Sequence, residues 1–210
     1  QRNLKVAVCQ NARYSAKFVT MARLVREGSL GRPAFGLQTT FGWRAGVHHS
    51  GMDRHAYLWE RGIHDLDTMR FVFGAAPKRT WGHSFNPDWS PYRGGGGAHG
   101  WVEFEDGSTC GYMCTFVAHK GGGSFRIELE GGSMEPTSEG ISLTRPGTKE
   151  AELIPLDEVK ESTTIILDGF AAYINNDEEP EFSGRQNLTT VAMVEAMGVA
   201  SDEGRIIDFD

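Results

Sequence analysis

The sequence predicts an α+β domain with one large, mainly antiparallel sheet and helices on one face of it. Three observations lead to this prediction. Six strand-like segments follow one another in the middle of the chain, helix-like segments lie on both sides of them, and 39% of the 210 residues are hydrophobic against 23% charged. Strands joined in sequence by short turns pair antiparallel, and a chain of this length can bury a sizeable core.

The first segments predict a strand and then a helix. Leu4, Val6 and Val8 alternate with more polar neighbours, which is the pattern of a strand. Ser15 is a suitable N-cap for the helix that follows, and Gly28 is a suitable end for it.

The next segments repeat this order. RPAFGLQTTFGW, residues 32–43, predicts a strand, and a loop rich in Gly and His covers residues 44–54. YLWERGIHDLDTMRFVFG, residues 57–74, has the apolar spacing of an amphipathic helix that ends at its glycine.

The middle of the chain predicts a meander. Its strand candidates are KRTWGHSF, AHGWVEFE, STCGYMCTFV, SFRIELEG, GISLTR and EAELIPL, and the turn signals DG, GG and PG separate several of them. The glycine runs in RGGGGAHG and KGGGSF precede or join these strands, so we interpret them as hairpin or loop glycines.

Two helices, roughly residues 163–176 and 185–200, and a short strand in GRIIDFD complete the chain. These helices suffice to cover one face of the sheet only. We therefore expect the other face to meet solvent, substrate or a partner subunit, and we predict a homo-oligomer that uses it.

Charge and cysteine content exclude several classes of protein. The net charge of −7 and the lack of a basic stripe argue against nucleic acid as partner. No apolar run could span a membrane, and no signal peptide is visible.

Cys9, Cys110 and Cys114 are odd in number, which argues against a disulfide framework. We predict buried, reduced thiols at Cys110 and Cys114 and a cytoplasmic location.

The chain begins with Gln1 and enters at once into a strand-like segment, LKVAVCQN. We therefore expect residues 1–210 to be a single domain and a fragment of a longer two-domain chain.

A carboxylate and an imidazole occur together in the helix of residues 57–74. Glu60, His64 and Asp67 stand at i, i+4 and i+7, so they share a face if the segment is α-helical. An imidazole that a carboxylate orients can accept a proton in general acid–base catalysis. From the residues alone, a surface ion pair worth ~0.3–0.5 kcal/mol remains the alternative.

The loop before this helix carries His48, His49 and His55 in WRAGVHHSGMDRH. Their spacing fits no common metal site, so we predict substrate contacts and no metal. Trp43 and Trp59 flank the loop and are candidates for contact with the substrate, with a buried core role as the alternative.

Four segments in the same order resemble the C-terminal domain of the Gfo/Idh/MocA oxidoreductases, the glucose–fructose oxidoreductase and inositol dehydrogenase group. They are QNARYSAKFVTMARLVREGSLGRP, ERGIHDLDTMRFVFGAAPKRTWG, FEDGSTCGYMCTF and GRQNLTTVAMVEAMGVASDEGRIIDF. Full chains of that family carry an N-terminal Rossmann domain for NAD or NADP and a Glu-Lys-Pro motif whose lysine assists catalysis. Neither occurs in these 210 residues.

The resemblance also implies roles for single residues. His64 matches the family's catalytic histidine, and Glu60 stands where the family often has Asp. Arg13 matches the Asn-x-Arg motif and is either a substrate-side or a structural cation. We interpret Asp67 as mainly structural, as the partner of a nearby arginine.

The resemblance thus implies the substrate-side domain of an NAD(P)-dependent oxidoreductase that acts on a sugar, inositol or related polyol, inactive as an isolated chain. The alternative is a non-catalytic binding or dimerisation module that uses the open sheet face.

Overall fold

The computed structural model describes residues 4–46, 49 and 53–209. Within them, nine strands form one sheet, in the order β8-β7-β6-β5-β1-β4-β3-β2-β9. The strands are β1 Pro33–Trp43, β2 Pro77–Phe85, β3 Gly97–Phe104, β4 Thr109–Thr115, β5 Val117–Leu129, β6 Gly132–Pro136, β7 Ile141–Thr144, β8 Ala151–Ile154 and β9 Ile207–Asp208. The helices are α1 Ala16–Glu27, α2 Ile63–Phe73, α3 Ser162–Asn176 and α4 Gly184–Glu203, with a 3₁₀-helix at Asn11–Tyr14 and a π-helix at Leu58–Gly62. The predicted α+β class with a mainly antiparallel sheet is confirmed.

The centre of the sheet is the pair β1 and β4, which run parallel, whereas all other neighbouring strands run antiparallel. The register of this pair begins at Phe35 opposite Thr109 and ends at Phe41 opposite Thr115. The carboxyl ends of both strands therefore meet at the same edge of the sheet.

The two faces of the sheet differ in burial. Cys110, Tyr112 and Cys114 of β4 point to the helices and are buried. Leu37 of β1 pairs with Gly111, which lies between Cys110 and Tyr112, so its side chain points to the opposite face, where it is 47% exposed. All three cysteines are free, and burial raises the pKa of the Cys114 thiol to about 12. The two buried thiols predicted in β4 are thus confirmed.

The strand predicted at the start of the chain does not form. Leu4 and Val6 are exposed, and Ala7 makes only an isolated bridge to Ser183. The segment packs beside the residues that precede α4 and not against an edge of the sheet. The Val8 amide donates to the Phe182 carbonyl at 2.8 Å. Alternation alone cannot supply a partner strand, and this prediction was wrong.

The meander contains one strand more than predicted, and one predicted loop is a strand. β6 has the sequence GSMEP, whose residues are weak strand formers, and it is held by β5 and β7 on either side. The glycine run of KGGGSF lies inside β5. A Cβ at Gly123 would approach the Thr39 carbonyl oxygen to 2.3 Å, so the close pairing with β1 requires glycine here.

The predicted glycine ends of α1 and α2 are confirmed, whereas Ser15 stands at the N-cap of α1 but its side chain makes no capping hydrogen bond. α1 ends at Gly28 and α2 at Gly74, and both glycines are left-handed, with φ of 68° and 70°. No helix within the described residues combines the length and the apolar character needed to cross a bilayer.

Candidate active site

A cleft of about 700 Å³ opens where β1 and β4 end. Its floor comes from the sheet and its wall from the π-helix and the first turn of α2. It is lined by Thr40, Gly42, Trp43, Arg44, His49, Trp59, Glu60, Arg61, His64, Thr115 and Phe116.

The cleft brings together five of the residues selected from the sequence: Trp43, His49, Trp59, Glu60 and His64. They come from the end of β1, the loop after it and the helix that follows. These segments are adjacent because the loop returns the chain from the carboxyl end of β1 to the face on which α2 packs.

Of the other three selected residues, two are described and do not line this cleft. His48 lies outside the described residues. His55 has its Nε2 3.1 Å from a carboxylate oxygen of Asp202 and packs close to Gly198 of α4. Arg13 is 2% exposed and binds the Asp67 carboxylate.

The Arg13–Asp67 pair lies between the 3₁₀-helix and α2. The Arg13 Nε donates to Asp67 Oδ2 at 2.6 Å, and a second guanidinium nitrogen binds Oδ1. Thr190 of α4 donates to the same Oδ1 at 2.9 Å. These contacts favour the structural alternative for Arg13 and agree with the structural interpretation of Asp67.

The three side chains do not share one face. Residues 58–62 form the wider π turn, so the α-helical spacing assumed between Glu60 and His64 does not hold, while His64 and Asp67 both lie in the regular helix α2. Glu60 and His64 both line the cleft, whereas Asp67 turns to Arg13. Isolated π turns inside α-helices are often found at functional sites.

The His64 imidazole lies at the base of α2, partly enclosed. Its Nδ1 is buried and has no hydrogen-bond partner in the described part of the chain, and the residue is part of the cleft lining. Burial lowers the pKa of His64 below its usual 6.5, the Arg61 charge lowers it further, and Asp65 and Asp67 oppose the shift. The ring is therefore neutral at neutral pH and able to accept a proton.

The Glu60 carboxylate forms an ion pair with Arg44, the residue that follows β1. The side chain of Glu60 is only 7% exposed, and the Arg44 guanidinium lies 4.9 Å from the centre of the Phe116 ring. Sequence reasoning did not select Arg44, because nothing local shows that the end of β1 faces the π-helix.

A buried carboxyl group behind the cleft was also missed. Asp65 is 2% exposed and accepts hydrogen bonds from the hydroxyls of Tyr57 at 3.0 Å and Tyr112 at 3.1 Å. The Arg61 Nε lies 3.2 Å from its other oxygen. Burial raises the pKa of Asp65, while Arg61 and both tyrosines oppose the rise. The only sequence signal was an acidic residue directly after His64.

With this geometry in view, comparison with known proteins identifies the family. Residues 18–135, just over half of the chain, match the model of the GFO/IDH/MocA C-terminal domain. The chain therefore belongs to this family, as the sequence motifs indicated.

The relatives are dehydrogenases and oxidoreductases. The chain is 26% identical to a D-apiose dehydrogenase from Paraburkholderia graminis, over 96% of this chain and 58% of that protein. Two crystal structures share the fold at 18–20% identity, each covering 98% of this chain. They are an oxidoreductase from Agrobacterium radiobacter in complex with NAD⁺, L-tartaric acid and magnesium (TM-score 0.83) and an aldose-aldose oxidoreductase from Caulobacter crescentus with glycerol (TM-score 0.78).

The chain spans 58–65% of the length of these three proteins. The relation to NAD(P)-dependent enzymes raises the question of whether these residues could hold the dinucleotide. Such a site needs a glycine-rich turn between a strand and a helix. In the part of the chain described, Gly94–Gly97 leads into β3 and Gly121–Gly123 lies inside β5. Neither glycine run fits that site.

Proposed function

We propose that this chain is the substrate-side domain of an NAD(P)-dependent oxidoreductase that acts on a sugar, inositol or related polyol. One observation carries the proposal. In this member of the family, the imidazole of His64, the carboxylate of Glu60 and the indoles of Trp43 and Trp59 line one cleft.

In the proposed reaction the residues of this chain hold the substrate and move its proton. A substrate hydroxyl donates to Nε2 of the neutral His64, and the ring takes the proton as the carbon is oxidised. NAD(P), when bound, supplies the acceptor for the hydride. Asp65 and Asp67 favour the protonated imidazole and so assist the transfer. Glu60, paired with Arg44, forms part of the polar lining beside the ring.

The cleft suits a hydroxylated ring. Trp43 and Trp59 are both more than two-fifths exposed, so their apolar faces are available to the C–H groups of a sugar. The Trp43 indole lies 5.3 Å from the His119 ring and nearly parallel to it, which fixes its orientation. Arg44, Arg61 and Thr40 add polar groups around the same space.

The test is an activity screen of the whole natural protein that contains this sequence. We expect it to reduce NAD⁺ or NADP⁺ with at least one member of a panel of pentoses, hexoses and cyclitols, measured by nicotinamide absorbance. If the folded protein oxidises none of them and none of their acids, the non-catalytic module becomes the better interpretation.

A first prediction concerns the dinucleotide. The 210-residue chain on its own is expected to show no micromolar site for NADH or NADPH in calorimetric titration, because neither glycine run has the required surroundings. The whole natural protein, titrated in parallel, is the control. A micromolar site on the 210-residue chain would contradict the prediction.

A second prediction concerns the open sheet face. Phe35 and Leu37 of β1 are large apolar side chains, and both are exposed on this face. We propose that a second copy of the chain covers them. Light scattering at tens of micromolar protein should then give a dimer or larger assembly.

Leu37→Asp should dissociate this assembly, because it places a charge in an apolar contact. Leu167→Asp, at an exposed position of α3 away from the sheet, is the matched control and should leave the assembly intact. A monomeric chain at this concentration, or equal effects of the two variants, would count against the sheet face as the contact.

A further inference from the structure

A second pocket, of about 300 Å³, lies on the helix-covered side of the sheet beside the cleft. It is bounded by α1, α2 and the glycine segment of β5. Thr40 and Arg61 line both spaces. A ligand that reaches His64 from the cleft could therefore extend past these two residues into the second pocket.

The strongest sign of a ligand is an unpaired buried amide. Gln38 of β1 lines this pocket and is only 5% exposed. Its Oε1 is buried and has no hydrogen-bond partner in the described part of the chain. Leaving such an acceptor unpaired costs about 1–3 kcal/mol, so a donor bound in the pocket would remove a real penalty. Hydroxyl groups are donors of this kind.

The glycine segment keeps part of one wall of the pocket free of side chains. Gly123 pairs with Thr40, and its close approach to β1 leaves no space for a Cβ. The wall is therefore bare backbone at Gly122 and Gly123, where a polar ligand can come close to it, while Phe125 pairs with Gln38 and completes the wall with its ring.

The charge at the pocket favours an anion. Lys17 of α1 is exposed and lines the pocket, and it makes no ion pair with a carboxylate of the described residues. Arg61 is the second cation, and it is engaged by Asp65. The Asp65 carboxyl is already bound by two tyrosine hydroxyls and this arginine. Lys17, whose ammonium lies 4.7 Å from the centre of the Phe18 ring, is thus the lining cation that no carboxylate of the described residues engages.

We infer that this pocket binds the far end of an acidic sugar, with a hydroxyl donating to Gln38 and a carboxylate at Lys17. This inference rests on the proposed function, because it places the reacting carbon of the same molecule at His64. The substrate class is then narrowed from sugars and polyols in general to uronic or aldonic acids.

The test compares matched acids and neutral sugars in equilibrium binding to the 210-residue chain. The pairs are glucuronate with glucose, galacturonate with galactose and gluconate with glucitol, titrated by calorimetry. At least one acid should bind about tenfold more tightly than its neutral partner, as one charge-assisted hydrogen bond would give. Acetate should bind far more weakly than that acid, because it lacks the hydroxyl for Gln38.

Variants assign the preference to residues. Lys17→Gln should remove the preference for the acid and leave the neutral sugar unchanged. Gln38→Leu should weaken both, because it removes the acceptor of the hydroxyl. Lys149→Gln, an exposed lysine in the turn before β8, is the matched control and should change nothing. Circular dichroism checks that each variant is folded.

Three outcomes would overturn the inference: equal binding of acids and neutral sugars, a preference that survives Lys17→Gln, and no measurable binding of any acid at millimolar concentration.

Failure of this inference can be distinguished from failure of the proposed function. A whole protein that oxidises neutral sugars, while the chain shows no preference for acids, removes this inference alone. A chain that binds acids at this pocket, within a protein that oxidises nothing, removes the oxidoreductase proposal alone.

Discussion

Replacing His64 with alanine is expected to lower the turnover of the whole enzyme by about 10²–10⁴-fold, the usual contribution of general acid–base catalysis. The physical reason is that the cleft then lacks the neutral imidazole that takes the hydroxyl proton. Because the ring lines a cleft rather than the core, the melting temperature should change little. Steady-state kinetics and thermal melts on the same preparations measure both effects.

The pH dependence provides a second measurement of the same role. Alcohol oxidation needs His64 unprotonated, so the rate should fall as the pH drops through the pKa of His64, which burial and Arg61 hold below 6.5. Arg61→Gln removes the nearby positive charge that lowers this pKa, so the acidic limb should move to higher pH.

Glu60→Gln should cost less turnover than His64→Ala, because Glu60 is held in an ion pair with Arg44 and does not itself take the hydroxyl proton. His55→Ala is the matched control, since that histidine packs against α4 outside the cleft lining. Near-normal turnover of His64→Ala, or a loss that follows unfolding alone, would show that this helix start is structural.

The Asp67→Asn variant is expected to lower the free energy of unfolding by about 3–5 kcal/mol, the usual result of removing one partner of a buried ion pair. The substitution leaves the Arg13 guanidinium buried without its carboxylate, since Arg13 and Asp67 are 2% and 1% exposed. Chemical denaturation of the 210-residue chain measures the change.

An exposed ion pair provides the control for this experiment. Arg32 binds Glu130 at the surface, and Arg32→Ala should leave the free energy of unfolding nearly unchanged. Arg13→Ala should resemble Asp67→Asn in stability. A normal unfolding curve for Arg13→Ala, combined with a raised KM in the whole enzyme, would instead support the substrate-side alternative for this arginine.

Local signals in the sequence were enough for much of the fold. The glycines that end α1 and α2 adopt left-handed φ for reasons within a few residues. Alternation located β4 and the second half of β5, because one face of each is buried. What failed depended on distant partners. Alternation at Leu4 and Val6 found no strand to pair with, and β6 forms only because two neighbours hold it.

The candidate site divides in the same way. Glu60 and His64 could be selected because they lie within one helical turn of each other in a segment whose chemistry is recognisable. Arg44, Gln38 and Asp65 could not, since their roles come from the end of β1 meeting the π-helix and from burial set by other elements. The parallel pairing of β1 with β4, which creates that edge, joins strands separated by two others along the chain.

The π-helix at Leu58–Gly62 makes the number of residues in this segment as important as their identity. In an α-helix each residue advances the side-chain direction by about 100°. Losing one residue here would turn the segment into a regular helix and rotate Trp59 and Glu60 away from the cleft, while His64 and everything after it stayed in place. An alignment of related chains should therefore treat a gap at this point as a change of the site itself, even when every residue of the cleft is still present in the sequence.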